Sequence, residues 1–158
     1  FPGATLLKSP RVDAPLTGPL FESAGFDALP VAAKSLLYTA NRVEAPLPDA
    51  PAGLVIVDRH FWSGIAYSIG RGEDAARAIM LEMAALKGLP KPDLVLCMMG
   101  KRYTEGAMES AADVDEELQR RVKEAYEMML EGDPEAGVRL DGESDFERAV
   151  FEIEQRMM

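Results

Sequence analysis

The chain has 158 residues and a net charge of −10, from 27 acidic and 17 basic side chains. That length supports one domain with a real core, and the acidic balance opposes that of a surface built to neutralise nucleic-acid phosphates, so nucleic acid is excluded as a partner. One cysteine, Cys97, and one histidine, His60, exclude an internal disulfide and a metal site built on several Cys or His.

In chain order, residues 1–30 are rich in Pro and Gly and weakly periodic, and "LTGPLFESAG" predicts a short helix limited by Pro19. Residues 31–45 predict a helix whose apolar stripe is carried by Val31, Ser35, Leu36 and Tyr38 to Ala40, stopped by "APLPDAPAG". Residues 53–57, "GLVIV", predict a strand buried on both faces, as in a parallel sheet. "FWSGIAYSIG" predicts a helix ending at Gly70. Residues 73–88 predict a strong helix, with acids in the first turn and Lys then Gly at the end. "DLVLCMM" is a second buried strand, ended by Gly100, with Cys97 as a small core residue. Over residues 113–131 the helical spacing puts Leu118, Val122, Ala125, Tyr126 and Met129 on one face. "GVRL" predicts a short third strand, and in the closing amphipathic helix Phe146, Ala149, Val150, Ile153 and Met157 share a face. Strands alternating with helices predict an α/β fold with a parallel sheet. No run is long enough to span a bilayer, so the expectation is a soluble protein of a cytoplasmic or organellar matrix-type compartment.

Asp58 and Arg59 close the first buried strand. In open α/β sheets ligands bind beyond the carboxyl ends of the strands. An Arg there can grip phosphate with a planar fork of donors, and an adjacent Asp can hold Mg²⁺, a water or a hydroxyl that must lose a proton. Taken alone, the dipeptide reads better as a buried or rim salt bridge.

Three neighbouring stretches change that weighing: "LLYTANRVE" (36–44), "DRHFWSGIAY" (58–67) and "GLPKPDLVL" (88–96). In this order they resemble thymidylate kinase, a P-loop nucleoside-monophosphate kinase, over roughly the first hundred residues. The resemblance implies that Tyr38 stacks on thymine, Arg42 hydrogen-bonds the base and Arg59 holds the monophosphate. It further implies that Ser63 and Gly64 let the backbone approach the nucleotide closely, that Tyr67 walls the sugar and base, and that Phe1-Pro2 ends a family strand. Asp58 is catalytic only if the protein is an active kinase. Tyr38 and Tyr67 as core aromatics, and Arg42 as a helix-surface charge, stay open as alternatives.

The departures from the family pattern shape the functional expectation. No G-x-x-x-x-G-K-[ST] occurs, so nothing in the sequence given cradles ATP phosphates. Acids Glu109, Asp113, Asp115, Glu116 and Glu117 stand before "LQRRV", where phosphate-binding Arg would be needed. The fold expected is therefore a P-loop-kinase-like parallel sheet flanked by helices, lacking the first strand, P-loop and first helix. It forms a single domain over residues 1–158 that is incomplete at its N-terminus. The function expected is a thymidylate-kinase-like pseudoenzyme serving as a structural or accessory subunit with other protein subunits as partners, using no cofactor and offering a pocket for dTMP or another nucleotide. The alternatives are an active dTMP kinase using ATP and Mg²⁺, whose P-loop segment is missing from the sequence given, and a module that senses a nucleoside monophosphate.

Overall fold

The computed structural model describes residues 3–44, 53–88, 90–100, 115–142 and 145–157. The chain divides into two compact units, Phe1–Lys91 and Pro92–Met158.

The first unit holds β1 (Thr5–Lys8), α1 (Gly18–Phe21), α2 (Val31–Glu44), β2 (Val55–Asp58), α3 (Phe61–Gly70) and α4 (Ala75–Ala85), which runs into a 3₁₀ turn at Leu86–Gly88. β1 and β2 pair in parallel, from Thr5 opposite Val55 to Lys8 opposite Asp58. A parallel pair needs a long crossover, and α1 and α2 lie within it. The register puts the carboxyl ends of both strands side by side, and Ser9 N–H donates to the Asp58 carbonyl at 2.9 Å. Asp74 caps α4, its carboxylate accepting from Arg77 N–H at 2.9 Å, so the acids before this helix serve as cap and flank rather than as first-turn residues.

The second unit holds β3 (Val95–Met98), α5 (Glu116–Gly132), β4 (Gly137–Leu140) and α6 (Phe146–Met157). β3 and β4 pair in parallel, Val95 opposite Gly137. α5 opens on Asp115, which accepts from Leu118 N–H at 3.0 Å, and turns Val122, Ala125 and Met129 inward as its spacing predicts. They share an apolar interior with Cys97, Met99 and Leu140.

Four expectations need correction. Residues 1–30 contain a strand, β1, and Phe1-Pro2 lies outside the described residues; the strand runs after it and closes on a cis Ser9–Pro10 bond. β2 is not buried on both faces, since Ile56 and Asp58 are exposed while Val55 and Val57 are half-buried. α2 buries its expected stripe only in part: Ser35 and Thr39 are buried and Val31 and Tyr38 half-buried, but Leu36 and Ala40 are exposed, and Asn41 and Arg42 are buried instead. In α6 only Ala149, Val150 and Ile153 of the predicted face are half-covered; Phe146 and Met157 are exposed.

Candidate functional site

Every site residue singled out from the sequence lies in the first unit. β2 delivers Asp58 and Arg59 at its carboxyl end, next to Lys8 of β1. Arg59 has φ 64°, in the left-handed region that a non-glycine residue with a Cβ disfavours. Such a conformation costs on the order of 1–3 kcal/mol and persists where the surrounding structure imposes it, which is common at binding sites. The turn aims Arg59 back across α3, where its guanidinium lies 5.6 Å from the centre of the Tyr67 ring. Arg71, just past the end of α3, lies 5.2 Å from the same centre. Two cations thus converge on one aromatic ring in a strongly acidic chain.

Tyr38 of α2 belongs to an aromatic cluster with Phe21 and Phe26, its ring centre 4.9 and 5.8 Å from theirs. Burial pushes its hydroxyl pKa up, while Arg71 and Arg59 pull in the opposite direction. Tyr38, Tyr67 and the two arginines therefore share one electrostatic neighbourhood. Asp58 is exposed at the strand end. Among the described residues no group of three His, Cys, Asp or Glu side chains could hold a metal ion.

Arg42 has a different setting. It is buried, forms an ion pair with Glu82 of α4, and lies 3.5 Å from the Thr39 hydroxyl. Thr39 Oγ1 donates to Glu82 Oε1 at 2.8 Å. Burial lowers the Arg42 pKa, and Glu82 counters that pull. Gly64 makes room for the pair: a Cβ there would stand 2.5 Å from both Arg42 Nη2 and Glu82 Oε1. His60, at the start of α3, keeps Nδ1 buried without a partner, and burial together with the Arg42 charge drives its pKa down to about 4.

The structure thus groups Tyr38, Arg59 and Tyr67 on one side of α3 and sets Arg42 against Gly64. Ser63 lies in the first turn of the same helix. The neighbours of Arg42 in its motif fix a loop. Fully buried Asn41 accepts from Arg11 N–H at 2.7 Å and donates to the Arg11 carbonyl and the Thr17 hydroxyl. Glu44 accepts from Thr17 N–H and Oγ1. Sequence reasoning missed Lys8, Arg71 and Glu82. Glu82 carried the clearest signal, a lone acid inside "AIMLEMAAL". A groove of about 490 Å³, lined in part by Leu36, Ser68, Arg77, Met80 and Leu81, holds none of the residues singled out.

No family model matches the chain. In sequence it is similar to a thymidylate kinase of Dictyostelium discoideum, 35% identical over 107 residues, 62% of this chain and 46% of that protein. It is likewise similar to probable thymidylate kinases of Thermococcus onnurineus and Thermococcus kodakarensis, 33% and 34% identical over 114 residues, 65% of this chain and 54% of each relative. The chain spans about half the length of these relatives. In fold it is similar to thymidylate kinase from Ehrlichia chaffeensis, with a TM-score of 0.69 and 20% identity over 97% of this chain and 80% of that one. Thymidylate kinase from Candida albicans gives a TM-score of 0.72 and 23% identity over 98% and 82%.

Proposed function

We propose that this chain, which has the fold of the thymidylate kinases and resembles them in sequence, supplies a dTMP-binding pocket and acts as an accessory subunit without phosphoryl transfer of its own. Arg59 carries the reading. A strand-end arginine held at φ 64° over Tyr67 supports a monophosphate site where β2 ends and α3 begins. Tyr38 offers a face for the base, Tyr67 a wall for the sugar, Ser63 and Gly64 a close backbone approach, and Arg42 a donor to a base carbonyl. The units Phe1–Lys91 and Pro92–Met158 are then parts of one thymidylate-kinase-like domain. Glu109 and Asp113 lie outside the described residues; in sequence, the acids at 109–117 stand where the resemblance calls for phosphate-binding Arg, and that supports the inactive reading.

The second reading, an active dTMP kinase using ATP and Mg²⁺ with Asp58 at the reacting hydroxyl or metal, is favoured by the names of the similar proteins. Two measurements on the full-length natural protein separate them. Calorimetric titration with dTMP should show binding that falls roughly tenfold or more in Arg59→Ala, the loss of one charge-assisted bond. A chromatographic assay with ATP and Mg²⁺ should show no dTDP. Absence of dTMP binding at millimolar concentration overturns the pocket; dTDP formation that disappears in Arg59→Ala establishes the kinase.

A further inference from the structure

Glu82 has no place in the pocket as the sequence describes it, yet its side chain is only 4% exposed, inside a helix whose neighbours Leu81 and Met83 are apolar. An acid is buried this deeply only when something holds its charge. Here two groups on one turn of α2 do so, Arg42 through Nη2 and Thr39 through its hydroxyl, both on Oε1. The fork between the two side chains is half made. Glu82 Oε2 and Arg42 Nε are both buried and unpaired. Nη2 is engaged and Nε is sealed off, while Nη1 makes no hydrogen bond among the described residues and is not among the buried unpaired atoms. Among the described residues, Nη1 is therefore the guanidinium nitrogen left to meet a ligand.

This arrangement changes what Arg42 can recognise. A free guanidinium in a cleft attracts phosphate. One whose charge is cancelled by an adjacent buried carboxylate acts as a neutral donor in a fixed direction, suited to an uncharged carbonyl. We propose that Glu82 is a positioning residue: it holds Arg42 so that Nη1 is presented to a pyrimidine carbonyl, and it cancels the charge that would otherwise draw a phosphate to the same place. This rests on the base-pocket reading above.

The test compares dTMP with base-free 2-deoxyribose 5-phosphate on the full-length protein. Glu82→Gln keeps the shape and removes the charge. It should weaken dTMP about tenfold while leaving the base-free ligand within about twofold or slightly tighter, as the uncovered Arg42 charge becomes available to phosphate. Should Glu82→Gln not fold, Thr39→Val carries the test: it loosens the same anchor with no change of charge and should give the same selective loss, several-fold in size. An equal loss for both ligands, or none for dTMP, overturns the proposal. If the wild-type protein binds the two ligands equally, or binds neither, the base is not read at all and the pocket reading falls with it.

Discussion

Among the described residues, the largest fully buried side chain of the unit Phe1–Lys91 is Asn41, and that of the unit Pro92–Met158 is Leu140. The contrast runs through both interiors. The buried polar and charged residues among those described, Ser9, Ser35, Thr39, Asn41, Arg42, Ser68 and Glu82, all lie in the first unit. The second unit fills its interior with Cys97, Met99, Val122, Ala125, Met129 and Leu140, and displays its charges outside as pairs along α5 and β4. An apolar core stabilises without direction. A buried polar network is costly unless satisfied, and it fixes particular side chains in particular places. The first unit therefore has the interior expected of a part that must hold a site, and the second that of a part that must only hold together.

The largest effect expected from breaking this contrast is at the buried pair. Glu82→Ala leaves the Arg42 charge uncompensated and should destabilise the protein by about 3–5 kcal/mol, read from chemical denaturation. Replacing both members with apolar residues, Arg42→Met with Glu82→Leu, should recover most of that loss while abolishing base-dependent binding. If the double variant is as unstable as the single, the pair stabilises the fold rather than specifying a site. The matching change in the second unit, Leu140→Ala, should cost about 2–5 kcal/mol through the cavity it leaves, with dTMP affinity unchanged. A loss of affinity there would remove the division of labour.

Gly64→Ala sharpens the comparison further. The added methyl group meets Arg42 Nη2 and Glu82 Oε1 rather than a flexible hydrocarbon. Overpacking of this kind costs about 1–3 kcal/mol, and the displaced Arg42 should lower dTMP affinity more than affinity for the base-free sugar phosphate.

His60 gives the first unit a pH dependence. Its pKa is about 4 in the folded state against 6.5 when exposed, so below pH 6.5 the unfolded chain binds the extra proton. The stability linked to His60 is complete above pH 6.5, declines as pH falls, and is lost by about pH 4, amounting to roughly 2–3 kcal/mol. His60→Gln should flatten the difference between denaturation midpoints at pH 7 and pH 4.5. An unchanged slope would show that the imidazole is not shielded.

Much of this was legible before any coordinates. α4 and α5 have lengths and spacings that read as helices, α3 reads as one more weakly, and Asp58-Arg59 announces a strand end through the apolar run before it. β1 was not legible, because "TLLK" is four residues without alternation and with one β-branched residue, Thr5, set between Gly-Ala and Ser-Pro; its pairing with β2 defines it. The buried face of α2 was only half read: Ser35 and Thr39 lie on the face expected to turn inward, but Arg42 looks like a surface residue until a partner is supplied from elsewhere. Glu82 supplies it, from 40 residues beyond Arg42. A polar interior is a property of pairs, and one side chain at a time does not reveal it.

The smallest effect belongs to the second unit's surface. Arg120 donates to Glu117 at 2.8 and 2.9 Å and also pairs with Glu124, while Arg121 reaches Glu117 at 2.9 Å. Arg120 and Arg121 hold the Glu117 carboxyl down to about 2, so its ionised form is favoured by folding above the ordinary carboxylate range, and that contribution fades as pH falls towards 2. Every member of this network is open to water, where ordering long side chains and ionic screening offset most of the attraction. The network is nearly as close in geometry as the Arg42–Glu82 pair, yet Arg120→Ala should leave the denaturation midpoint at neutral pH within measurement error, with the residual difference vanishing at 1 M salt. Glu82→Ala, by contrast, should keep its full effect at that salt concentration, because no ions enter a pair sealed between α2, α3 and α4. If salt erased both effects alike, the Arg42–Glu82 pair would be as wet as the surface one, and the contrast between the two interiors would not hold.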